Sequence, residues 1–63
     1  MDSENLYQIL CREADAAGIP IMAAIKKARV DESQGYRWAA GTTEPRGISF
    51  VKVRAAIASH AGA

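Results

Sequence analysis

Eight Lys and Arg, seven Asp and Glu, one Cys and one His are the residues that could do chemistry in this 63-residue chain. Cys11 cannot form an internal disulfide alone. With His60 it supplies two of the four N or S ligands a structural zinc requires. A nucleophilic dyad of the two would still lack an orienting third group and a dry pocket. Glu44 and the other carboxylates form no evident catalytic pair. No G-x-S-x-G, phosphate-cradling Gly-rich loop or H-E-x-x-H occurs. The expectation is therefore no enzyme, no metal and no cofactor. Charge is what remains. Residues 1–20 hold one basic and four acidic side chains, a balance of −3, while residues 21–63 hold seven basic and three acidic, a balance of +4. The seven are Lys26, Lys27, Arg29, Arg37, Arg46, Lys52 and Arg54. This asymmetry fits one face for an anionic partner and another that stays solvated. It equally fits a surface of scattered ion pairs.

The chain allows one small domain spanning 1–63 and leaves no room for a second. A single core in a chain this short seldom supplies more than about 3–5 kcal/mol, so self-association or a macromolecular partner is expected. One Cys fits a reducing cytoplasm. No apolar run approaches the roughly 20 residues that span a bilayer, and no basic n-region announces a signal peptide.

The elements that must carry these charges are helical. A first helix is expected over about 4–17, capped by Ser3, with Leu6, Ile9, Leu10, Ala14 and Ala17 on one face and Gly18 as terminator. Cys11 beside that stripe is expected to act as a small hydrophobe. A second helix covers about 20–28, with Pro20 in its first turn and Ile21, Ala24, Ile25 and Ala28 facing inward. Lys26 and Lys27 sit at its C-terminal end, where cations suit the helix dipole. Asp31 caps a third helix over about 32–40, with Trp38 as its core anchor and Gly41 as its stop. The three or four residues before it have the length of a helix-turn-helix corner. Ser49 is expected to cap a fourth helix over about 50–59, with Phe50, Val53, Ala56 and Ile57 inward, Lys52 outward and His60 at its end. The class is all-α, four short helices.

The stretch Ala28-Arg29-Val30-Asp31-Glu32-Ser33, followed by Tyr36-Arg37-Trp38-Ala39-Ala40-Gly41-Thr42-Thr43-Glu44-Pro45, resembles the Cro/repressor (lambda-repressor-like) helix-turn-helix family. The Tyr-Arg-Trp-x-x-Gly-Thr-x-x-Pro run is its more specific part, and Ser49 to Ile57 resembles the capped helix that follows it. Two positions depart from the pattern. Arg29 stands where the corner usually carries a left-handed Gly, at a cost of roughly 1–2 kcal/mol unless the corner is reshaped. Gly35 stands where a branched apolar residue usually pins the third helix to the second, and it allows closer approach.

The resemblance implies a sequence-specific DNA-binding transcriptional regulator, a repressor of phage or mobile-element type. Its third helix would enter the major groove of double-stranded DNA. Carried over by position, Glu32, Ser33 and Arg37 would face base edges, with Arg37 bidentate on guanine and Glu32 accepting from a cytosine amino group. Tyr36, Thr42, Thr43 and Arg46 would lie near phosphates, and Lys26, Lys27 and Arg29 would add to the field. A homodimer is implied, and the fourth helix with exposed Val51, Ala55 and Ala58 is the expected pairing surface. The alternative is a protein–protein interaction module on the same fold: an inhibitor, an antitoxin-like protein or a polymerase-associated factor.

Overall fold

A computed structural model describes residues 5–61 of the chain. They form four helices: α1 (Leu6–Ala17), α2 (Ile21–Lys27), α3 (Glu32–Ala40) and α4 (Ile48–Ala61). The small all-α, four-helix class expected from the sequence is the one observed.

Local chemistry sets most boundaries. The Asn5 side chain accepts from the Gln8 backbone N–H at 2.8 Å, while the Gln8 side chain accepts from the Asn5 N–H at 3.0 Å. This reciprocal capping box starts α1 at Leu6. The expected cap, Ser3, lies outside the described residues, as does Glu4. Gly18 ends α1 at φ 78°, where its N–H returns to the Ala14 and Asp15 carbonyls. Pro20 is the N-cap of α2 rather than its first helical residue, since its ψ of 141° is extended. Asp31 caps α3 as expected, accepting from the Ser33 N–H at 3.0 Å, and Gly41 stops it at φ 82°. α4 begins at Ile48, two residues earlier than expected. Ser49 is consequently inside the first turn and does not cap it. The chain enters through Gly47 at φ 54°, and the Ser49 and Val51 N–H groups donate to the Arg46 and Gly47 carbonyls.

The core is built from one stripe of each helix. Leu10 and Ala14 of α1, Ala24 and Ile25 of α2, Trp38 of α3, and Val53 and Ile57 of α4 form one cluster with Ile19. Tyr7, Ile21, Met22, Ala28, Val30 and Phe50 pack around it. Trp38, only 4% exposed, joins α3 to α1 through a tilted ring contact with Tyr7 at 6.5 Å between centroids. Fully burying such a ring relative to leaving it in water contributes of order 2–3 kcal/mol, a large share of what this small core supplies. α4 packs on α1 and α2, while α3 rests chiefly on α2.

Candidate nucleic-acid interface

The outward face of α3 follows from which of its residues go inward. Gly35 and Trp38 are buried, three positions apart on one side of the helix. Ser33, Tyr36, Arg37 and Ala40 recur at i, i+3, i+4 and i+7 on the opposite side, and all four are exposed. Tyr36, 64% exposed, lies among the largest exposed apolar surfaces of the described residues. A buried Gly35 explains how α3 seats so closely. A Cβ built there would sit 2.9 Å from Ile25 Cδ1 and 3.1 Å from Met22 Sδ. The missing branched residue is therefore compensated from α2, whose Ile25 and Met22 fill the space.

The corner between α2 and α3 is tight. The Arg29 N–H donates to the Lys26 carbonyl and the Val30 N–H to the Ile25 carbonyl, closing α2 within two residues. Arg29 takes the left-handed conformation, φ 61°, alone among the described non-glycine residues. Arg29 itself thus adopts the left-handed conformation at this corner. An L-residue holds it against a cost of roughly 1–2 kcal/mol. Arg29 is exposed, so its guanidinium stands in solvent at the corner.

Lys26 and Lys27 occupy the last turn of α2, both exposed. Lys26 Nζ lies 3.1 Å from Glu32 Oε2, so these two charges neutralise each other across the corner. Both ends of that pair are substantially solvated, which limits its worth to below about 1 kcal/mol and leaves it easily exchanged for a stronger partner. The Asp31 carboxyl is held below its ordinary value, first by the Ser33 backbone N–H, then by the Ser33 side chain, with the Arg37 charge also favouring the carboxylate.

The loop 42–47 leaves α3 at its other end. The Thr42 N–H donates to the Arg37 carbonyl at 3.0 Å, and Pro45 is fully buried, which anchors the loop. Glu44 reaches across to α1, where its Oε1 accepts from the Leu6 N–H at 3.2 Å. A carboxylate at a helix N-terminus is favoured by both the free N–H and the dipole. Thr42, Thr43 and Arg46 are exposed along this loop, with Arg46 Nη2 3.9 Å from Glu44 Oε2.

Every residue expected at the interface is thus exposed and lies on the last turn of α2, on the corner after it, on α3 or on the loop that follows α3. Five basic groups (Lys26, Lys27, Arg29, Arg37, Arg46) stand there against Asp31, Glu32 and Glu44, a local balance of +2. Sequence reasoning missed the Lys26–Glu32 pair, which mutes two expected contacts, and Glu44 as the tether of the loop. A second charged contact, absent from the sequence reading, lies away from this face. Arg54 of α4 pairs with Glu13 of α1, Nη2 to Oε2 3.0 Å and Nε donating to Oε1 at 3.1 Å.

Among the described residues, no group of three or more His, Cys, Asp and Glu side chains could hold a metal ion. Nor is any of their helices long and apolar enough to cross a membrane. Comparison of the chain with protein-family models, with curated proteins and with solved structures finds no match in any of the three.

Proposed function

We propose that the protein is a sequence-specific DNA-binding transcriptional regulator of the Cro/repressor type, acting on double-stranded DNA as a homodimer. The observation that carries this reading is the short α2–corner–α3 unit with left-handed Arg29, which presents Ser33, Tyr36 and Arg37 on one solvent-facing side of α3. A helix of nine residues, roughly 13 Å long, fits within a major groove. Arg37, in its last turn, is the base-reading group, a fork of donors matched to guanine. Ser33 and Glu32 read beside it once the Lys26–Glu32 pair is exchanged. Tyr36, Thr42, Thr43, Arg46, Lys27 and Arg29 meet phosphates and fix the register. The size and the resemblance suit a phage or mobile-element repressor working in the cytoplasm.

The test is a binding-site selection followed by substitution. Arg37→Ala should weaken the selected duplex by roughly 1–3 kcal/mol and relax preference at one base pair. It should leave the circular-dichroism spectrum and melting unchanged, because Arg37 is exposed. Unaltered affinity and preference would remove Arg37 from the interface.

The second reading, a protein-binding module on the same fold, is favoured by one observation. The Lys26–Glu32 pair reduces the positive field where DNA would need it most. An interface of that kind would respond weakly to salt, whereas phosphate contacts respond steeply.

A further inference from the structure

The Lys26–Glu32 pair spans the corner between the two helices. Lys26 lies in the last turn of α2 and Glu32 in the first turn of α3, with Nζ 3.1 Å from Oε2. Each charge suits the dipole at its own helix end, so neither needs the other to stay where it is. Their side chains are 64% and 48% exposed, and a pair so solvated is weakly held. The neighbouring carboxylate is already engaged: Asp31 caps α3 by accepting from the Ser33 N–H at 3.0 Å.

Closed, the pair has no net charge. Brought to a phosphate in that state, Lys26 releases no counterion. Opening the pair turns Lys26 to a phosphate but leaves a bare carboxylate in the negative field of the groove. That is unfavourable unless another donor replaces the ammonium. Among the polar groups of the major-groove edge, only the cytosine N4 and adenine N6 amino groups donate, whereas guanine and thymine present acceptors.

Resting on the DNA-binding reading above, we infer that Glu32 is a specificity-determining residue that acts through Lys26. It withholds one cation from the duplex until a base amino group takes that cation's place. On random sequence the pair stays closed, and Lys26 adds nothing to the attraction. On the preferred site Glu32 accepts from an amino group, the pair opens and Lys26 meets a phosphate. One phosphate contact is thereby made conditional on one base, so the pair lowers affinity for wrong sequences more than for the right one.

The test is a salt series by fluorescence anisotropy on two labelled duplexes of equal length, one obtained by binding-site selection and one of random sequence. Glu32→Gln frees Lys26. On the random duplex the log–log slope should therefore steepen by about 0.9, the value of one phosphate, and low-salt affinity should rise several-fold. On the selected duplex Lys26 already holds a phosphate, so the slope should stay as it is while affinity falls. The ratio of the two affinities should drop at least ~10-fold. Adding Lys26→Met to Glu32→Gln should return the random-duplex slope to the wild-type value, which assigns the gained contact to Lys26. Both side chains are exposed, so the far-ultraviolet spectrum should not change. Equal steepening on both duplexes would show that Glu32 acts only as a negative charge. An unchanged slope on the random duplex would show that the pair withholds nothing. Either result overturns the inference while leaving DNA binding intact. A wild-type chain that binds neither duplex at low salt would overturn the DNA-binding reading itself, and the inference with it.

Discussion

Arg29 carries the sharpest residue-scale consequence, because its backbone angle is costly and its side chain is not used by the fold. Its φ of 61° is a conformation glycine adopts freely. Arg29→Gly should raise stability by about 1 kcal/mol, the left-handed relief less the extra freedom glycine gives the unfolded chain. The same change should weaken binding to DNA by removing a cation beside the backbone. A urea midpoint that rises while affinity falls would show a residue retained for its charge; a midpoint that falls would show that the side chain stabilises the corner. Asp31 gives a pH signature. Its folded pKa is depressed, so the cap contributes fully above the ordinary value of 3.8 and is lost as pH falls through the lowered one. Asp31→Asn keeps a capping oxygen without the titration. The difference in urea midpoint between wild type and variant should therefore narrow or reverse in wild type's disfavour on going from pH 7 to below 3. A constant difference would mean that the charge adds nothing to the cap.

At the scale of elements, α3 depends on a missing side chain. Gly35 lowers the intrinsic helicity of α3 by about 0.8–1 kcal/mol, yet it lets Ile25 and Met22 close over the helix. Gly35→Val should cost about 1–3 kcal/mol by overpacking and should displace α3 from its seat. Thermal melting and the nuclear magnetic resonance shifts of Trp38 are the readouts; an undisturbed Trp38 with normal melting would show that α3 does not seat on that glycine. The contrast between what the sequence displayed and what it concealed is also one of elements. Asp31, Gly18 and Gly41 were legible because a cap or a left-handed stop acts within three residues of itself. The apolar stripes were legible because period alone sorts them. The start of α4 was not, because Ser49 has the chemistry of a cap and only the left-handed Gly47 shows that the chain turns earlier. Asn5 and Gln8 carried a signal at the right spacing, outweighed by the nearer-terminal Ser3. The Lys26–Glu32, Glu13–Arg54 and Glu44–Leu6 contacts join different elements, the last two across about forty residues. No local rule picks those partners before the helices are packed. The exposed face of α3 was legible in composition, but its side chains' pairing was not.

The whole molecule is a body of 32 × 28 × 19 Å whose two outward features sit on different helices: a charged, hydrogen-bonding face on α3 and an apolar stripe on α4. The small net charge of +1 limits long-range attraction to DNA, so on the proposed reading affinity would have to come from the local cations around α3. Titrating the pure protein into fluorescently labelled random-sequence duplex DNA, at low and at moderate salt, measures this directly by anisotropy. With about four phosphates neutralised per protomer, binding should be micromolar at low salt and fall with a log–log slope near −3.6. Absence of binding at low salt, or binding indifferent to salt, would contradict the DNA-binding account and favour a protein partner on the same face.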